Sequence, residues 1–158
     1  MTTTHGTPDE PGRRTATGTE PRQDGGQDGG RHRTPPRTAF TEAELAYLRE
    51  QRLGRLATVD RGGRPQNNPV GFFLRDDGGV DIGGWQMGAS RKWRNIAGNP
   101  HVSLVVDDIA SVTPWKVRGV EIRGVAEQVE GPHAYASYLS EQLIRIRPYK
   151  IFGWGLED

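Results

Sequence analysis

The 158-residue sequence contains no cysteine, which excludes disulfide bonds, thiolate metal sites and a cysteine nucleophile. No stretch approaches the roughly 20 consecutive apolar residues that a membrane-spanning helix needs. The N-terminal region also lacks the apolar segment of a secretion signal. We therefore expect a cytoplasmic protein with no membrane partner.

The short motifs of several enzyme classes are missing as well. There is no Gly-x-Gly-x-x-Gly, no P-loop and no Gly-x-Ser-x-Gly. The four histidines do not have the spacing of metal ligands. A Rossmann enzyme or a hydrolase would thus lack its signature, no metal site is predicted, and no catalytic residue can be assigned from motifs.

Composition divides the chain near residue 38. Residues 1–37 contain no aromatic residue, and their six arginines against five carboxylates account for the whole net charge of +1. Such a segment cannot bury enough apolar surface to offset the entropy of ordering it, so we predict a disordered tail. Residues 38–158 are predicted to form one domain. Their balanced charge argues against a nucleic-acid partner.

Regular structure is predicted from Phe40 onward. Thr41 and Glu44 have the spacing of a capping box, which predicts a helix over about 42–52. Further helices are expected over 90–97 and after Gly131. Alternating or β-branched segments separated by Gly-rich turns predict six strands, at about 54–59, 64–74, 80–84, 101–106, 117–129 and 144–154. These strands follow one another too closely for βαβ units, so we predict a mainly β (α+β) fold, a six-stranded antiparallel barrel with short helices.

Ser90, Arg91 and Lys92 stand at the start of the second predicted helix. Serine is a good N-cap, and a helix N-terminus carries partial positive charge and free N–H groups. Two cations in the first turn are unfavourable unless an anion binds there. The alternative is two solvated charges, but their position after a Gly-rich stretch favours a phosphate site.

The run Asn67, Asn68, Pro69 and Val70 is unusual for a strand. Asparagine is rare in strands and proline lacks a ladder donor, so the run indicates an edge or a bulge. It could be purely structural or it could serve a ligand. Four tryptophans could stack on an aromatic cofactor, but we assign Trp93 to the core.

Short segments in order from Phe40 to the C-terminus carry a family resemblance. They are residues 40–48, 51–59, 69–72, 81–84, 92–96, 99–100, 105–108, 114–115, 118–121, 146–148 and 153–156. Together they resemble the pyridoxamine 5′-phosphate oxidase-like split-barrel family and, more narrowly, its branch of probable F420-dependent oxidoreductases. Residues 85–89 depart from the family pattern, in which a charged residue is usual.

The resemblance implies an FMN-binding type of split barrel and a homodimer with two cofactor sites at its interface. The phosphate would be held by Ser90, Arg91 and Lys92. Trp115 would approach from the partner subunit. The cofactor ring and its side chain would be lined by two strands, through Asn67, Asn68, Pro69 and Val70 and through Ile82, Gly83 and Gly84.

The implied activity is that of a flavin- or deazaflavin-dependent oxidoreductase. We expect it to use coenzyme F420 to reduce a small conjugated molecule by hydride transfer, a reaction that needs little acid–base machinery from the protein. Two alternatives stay open: an FMN-dependent oxidase or reductase on the same fold, and a non-catalytic cofactor-binding or carrier protein.

Overall fold

A computed structural model describes residues 35–156, and every element named below lies in that range. None of its helices is long and apolar enough to cross a membrane. The elements are α1 (Glu42–Glu50), β1 (Gly54–Val59), β2 (Pro65–Val70), β3 (Phe72–Leu74), β4 (Val80–Ile82), α2 (Arg91–Gly98), β5 (His101–Val112), β6 (Trp115–Val129) and β7 (Leu143–Trp154), with a 3₁₀ turn at Met87–Ala89 before α2.

All seven strands form one antiparallel sheet in the order β2-β1-β5-β6-β7-β4-β3. The two outermost strands, β2 and β3, are consecutive in the chain and are separated only by Gly71. The sheet must therefore curl back on itself to bring its ends together, which confirms the predicted barrel. The predicted second strand, 64–74, is in fact β2 and β3 joined by a bend, and this is why seven strands are found instead of six.

The core lies on the inner face of the curled sheet. On β5, Val102, Leu104 and Val106 are buried while the residues between them are partly exposed. Since successive side chains of a strand point to opposite faces, this alternation shows that one face is covered. Trp93 of α2 joins the buried cluster, as predicted.

The first helix begins as the capping box predicts. Thr41 Oγ1 accepts a hydrogen bond from the Glu44 N–H, and Glu44 accepts one from the Thr41 N–H. The predicted tail of residues 1–37 lies outside the described residues except for 35–37. Within those three, Arg37 pairs with the buried Glu44 carboxylate, and its carbonyl accepts a hydrogen bond of 2.7 Å from the Ile151 N–H.

The helix predicted after Gly131 is wrong. Residues 130–142 form bends and turns, and Gly131 itself has a positive φ of 128°. The apolar spacing that suggested a helix has another cause. Tyr135 stacks on Phe73 with ring centroids 4.2 Å apart, and Leu139 packs against Gly83. Contacts between the side chains of these bends and turns and the sheet override the local pattern. We call residues 131–142 the covering loop.

Candidate functional site

The start of α2 has the geometry expected of an anion-binding helix terminus. Ser90 is the N-cap, and its Oγ accepts a hydrogen bond of 3.2 Å from the Trp93 N–H. The first N–H groups of a helix have no acceptor within the helix, so those of Arg91 and Lys92 are available to a ligand.

Lys92 differs from Arg91, the other cation of this turn, in being partly buried. Its side chain is partly buried, and burial lowers the pKa of its ammonium group. Among residues 35–156, neither Lys92 nor Arg91 forms an ion pair. A cation that is desolvated without a partner is unfavourable, and a bound phosphate would remove that cost. The residues present at this turn therefore fit a phosphate-bearing cofactor.

Buried hydrogen bonds fix α2 on the barrel. The Asn95 side chain donates to Thr58 Oγ1 at 2.9 Å and to Gln66 Oε1 at 3.1 Å, which joins α2 to β1 and β2. Gln128 near the end of β6 donates to the Trp93 carbonyl at 2.9 Å. The helix start is thus held in place relative to three strands.

The predicted residues of β2 divide between its two faces. Asn68 and Val70 share the inner face with Gln66 and with α2, whereas Asn67 and Pro69 are exposed on the outer face. The strand pairs with β1 without a register shift and lies at the end of the sheet. Of the two interpretations of its unusual composition, the edge is therefore confirmed and the bulge is wrong.

The predicted residues at the end of β4 also differ from one another in how deeply they are buried. Ile82 is fully buried, and its side chain belongs to the core. Gly83 and Gly84 are partly exposed and lead into the turn before α2. A Cβ atom at Gly83 would lie 2.8 Å from Leu139 Cδ1, so any larger residue here would make the Leu139 side chain move. The structure brings these two glycines close in sequence and space to the 3₁₀ turn and to Ser90.

Trp115 lies far from α2 within one chain. It opens β6, a strand of 15 residues, whereas α2 is bound to Gln128 near the end of that strand. At about 3.3 Å per residue, a strand of this length spans roughly 45 Å. One chain therefore cannot place its own Trp115 beside its own Lys92.

The covering loop contributes residues that the sequence did not reveal. Ser140 hydrogen-bonds to Gly84 and Met87, and the Tyr135 hydroxyl donates to the Asp81 carboxylate at 2.9 Å. The helix expected after Gly131 concealed these contacts. A signal existed only for Asp81, an acidic residue between the apolar Val80 and Ile82.

An aromatic groove lies beside the predicted cofactor strands. It has a volume of about 560 Å³, and its lining includes Gly71, Phe73, Tyr135 and Tyr138. The groove borders β3 at the free edge of the sheet, just after the Val70 position. Aromatic rings and the arginines Arg49 and Arg52 share its lining, a combination that suits a conjugated molecule with polar substituents.

The curled antiparallel sheet and the cationic helix start define a split-barrel protein. A family model described as pyridoxamine 5′-phosphate oxidase matches residues 40–152. The 5a,11a-dehydrotetracycline/5a,11a-dehydrooxytetracycline reductase of Streptomyces rimosus subsp. rimosus is 43% identical over 120 residues, which cover 75% of this chain and 84% of that protein. The chain belongs to the pyridoxamine 5′-phosphate oxidase-like family.

Solved structures show the same fold. A conserved hypothetical protein, Rv2991 from Mycobacterium tuberculosis, has a TM-score of 0.61 at 24% identity, covering 77% of this chain and 90% of that one. An F420 reductase has a TM-score of 0.55 at 24% identity, covering 72% and 98%. At this level of identity the likeness extends to the fold alone.

Proposed function

We propose that this protein is an oxidoreductase that binds coenzyme F420 and reduces a small conjugated molecule. The observation that carries the proposal is Lys92, a partly buried cation at a helix N-terminus with no ion-pair partner among the described residues. The reductase from Streptomyces rimosus, at 43% identity, supports the same activity class. That relative acts on a dehydrotetracycline, a polycyclic molecule, and we expect a substrate of comparable flatness here.

The protein's part in such a reaction is to bind and orient. Lys92, Arg91 and the N–H groups of the first turn of α2 would hold the cofactor phosphate. The strand ends at Val70 and Gly83 would lie along the ring, and the aromatic groove would receive the acceptor. When bound, the deazaflavin supplies the hydride, and the protein supplies orientation and exclusion of water.

The site requires a second copy of the chain. Because Trp115 cannot reach α2 of its own chain, its predicted role requires the Trp115 of another subunit. Trp115 is exposed, together with Ile109 and Val112, at the end of β5 and β6. Here β5 and β6 continue to pair with each other beyond the last residues that pair with β1 and β7. They therefore form a two-stranded arm, and its tip is apolar. We call it the β5–β6 arm, and we propose that it packs on a second copy.

Two other functions differ from this one in which cofactor is bound or in whether the bound cofactor is oxidised. An FMN-dependent oxidase or reductase would use the same phosphate site. A carrier protein would bind cofactor without oxidising it. Titrating each cofactor into the full chain and comparing dissociation constants distinguishes F420 from FMN. Screening conjugated acceptors with reduced F420 then distinguishes an enzyme from a carrier.

The decisive variant is Lys92→Ala. A charge-assisted hydrogen bond contributes about 1.5–3 kcal/mol, so cofactor binding should weaken roughly tenfold to a hundredfold. Folding should survive, because the lost charge opposed the helix dipole. Fluorescence titration of the variant measures its dissociation constant for the cofactor. Lys150→Ala, which removes an exposed lysine of β7, is the matched control. Unchanged affinity in both Lys92→Ala and Arg91→Ala would show that the phosphate binds elsewhere.

A further inference from the structure

Ser140 of the covering loop holds the turn that precedes α2. Its N–H and its hydroxyl both donate to the Gly84 carbonyl, at 2.9 and 3.0 Å. The same hydroxyl oxygen accepts the Met87 N–H at 3.2 Å. One side chain thus joins the end of the β4 segment to the start of the 3₁₀ turn. The His133 Nε2 donates to the Ser140 carbonyl at 2.9 Å, which holds Ser140 itself in place.

The contacts continue from this turn to the helix cap. The Met87 carbonyl accepts the Ser90 N–H at 2.9 Å, and the Ser90 hydroxyl lies 3.6 Å from the Met87 sulfur. Ser90 in turn caps Trp93 and so determines where α2 begins. A shift of Met87 would move Ser90, and with it Arg91 and Lys92.

We propose that Ser140 is a positioning residue for the phosphate-binding turn. It acts through Met87 and Ser90 and need not touch the cofactor. The proposal rests on the proposed function, since it assumes that the start of α2 binds the phosphate. A site that binds by orientation loses affinity when its supporting hydrogen bonds are removed, because the ligand must then order the turn.

The covering loop offers a matched control for general stability. Tyr135 anchors the other end of the loop, by its hydroxyl to Asp81 and by its stack on Phe73. Tyr135 also lines the aromatic groove, so it is left unchanged. The matched control is Ser137→Ala, which removes an exposed hydroxyl three residues before Ser140. This variant should disturb neither Met87 nor Ser90.

The experiment compares dissociation constants for F420 and FMN in full-length variants. We expect Ser140→Ala to weaken binding about tenfold, because the Met87 N–H loses its partner in a partly buried place. Ser140→Thr, which keeps the hydroxyl, should stay within about twofold of the unmodified protein. Equal weakening in Ser137→Ala, or none in Ser140→Ala, would overturn the proposal.

Hydrogen exchange supplies a second readout that needs no cofactor. Ser140→Ala should speed exchange of the Met87 amide and of the capped Trp93 amide, whereas Ser137→Ala should not. If Lys92→Ala weakens binding while Ser140→Ala changes neither affinity nor exchange, the phosphate site stands and Ser140 has no positioning role. If the unmodified protein binds neither cofactor, the proposed function fails. Exchange at Met87 and Trp93 then still decides whether Ser140 controls the turn.

Discussion

Buried ionisable side chains in this protein differ in whether a neighbour compensates their charge. The carboxylates of Glu44 and Asp81 are buried, and each is held by arginine. Asp81 accepts two hydrogen bonds from Arg145, at 2.8 and 2.9 Å. Lys92 has no such partner among the described residues. Lys92 is partly buried, and because its charge is desolvated without a partner, this is the place where an external anion is expected.

Asp81 makes stability depend on pH. Burial raises its pKa, but hydrogen bonds from Arg145 and Tyr135 outweigh this and hold the pKa of the carboxyl below its usual range. We expect Asp81→Asn to lower the free energy of unfolding by about 3–5 kcal/mol at neutral pH, because Arg145 loses its charged partner. Urea unfolding measures the difference.

The direction of the pH effect follows from the lowered pKa. The folded-state pKa lies below that of the unfolded chain, so the stabilisation is present above about pH 4 and is lost as pH falls through the folded-state value. The difference in free energy of unfolding between Asp81→Asn and the unmodified protein should therefore become smaller in acid. Asp76→Asn, at an exposed carboxylate that forms no ion pair within residues 35–156, is the control and should have a much smaller effect. A difference in free energy of unfolding that stays constant down to pH 3 would contradict this account.

Candidate site residues were predictable where local chemistry determines them. Ser90 as cap and the cations beside it follow from helix-terminus physics. The division of Asn67 and Asn68 between two faces follows from strand alternation once β2 is placed. Ser140 was not predictable, because its contact with Gly84 joins residues 56 positions apart and no local pattern records such a pairing.

At the scale of elements, α1 depends on its first turn. We expect Thr41→Ala to lower the free energy of unfolding by about 1 kcal/mol, since the Glu44 N–H loses its acceptor. Thr38→Ala, at an exposed residue just before the helix, should have little effect. Chemical denaturation of both variants tests this, and equal stabilities would mean that the capping box contributes nothing measurable.

The strands were more predictable than the connections. The alternation of apolar residues located β1 and β6, because one face of each is covered by the core, and the β-branched residues located β5. β5 and β6 extend further than predicted, as a two-stranded arm whose exposed apolar residues break the alternation rule. The bend at Gly71 was missed, because it comes from the closure of the sheet and no local sequence pattern marks it.

At the scale of the whole molecule, the N-terminal segment can be tested against the fold it precedes. We predict that a variant lacking residues 2–33 keeps its thermal stability and cofactor affinity. A variant lacking residues 2–38 should be less stable, because it loses the ion pair between Arg37 and Glu44. Calorimetry measures the thermal stability of both deletion variants. A drop in stability of more than about 1 kcal/mol in the shorter deletion would show that the segment contributes to the folded state.

The last prediction concerns assembly. The β5–β6 arm exposes Ile109, Val112 and Trp115, and the outer face of the sheet exposes Phe152, so substantial apolar surface remains uncovered in one chain. Surfaces of this kind mark interfaces. We expect a dimer in sedimentation at micromolar concentration, and a monomer would contradict the shared site.

Mixing variants tests whether each site uses two chains. Lys92→Ala and Trp115→Ala should each bind cofactor weakly alone. After mixing and exchange of subunits, half of the dimers contain one of each chain, and in these one site pairs an intact Lys92 with an intact Trp115. Roughly a quarter of all sites should then regain full affinity, measured by fluorescence titration. No recovery, despite mixed dimers confirmed by mass, would place Trp115 and Lys92 in separate sites and leave α2 to bind its ligand within one subunit.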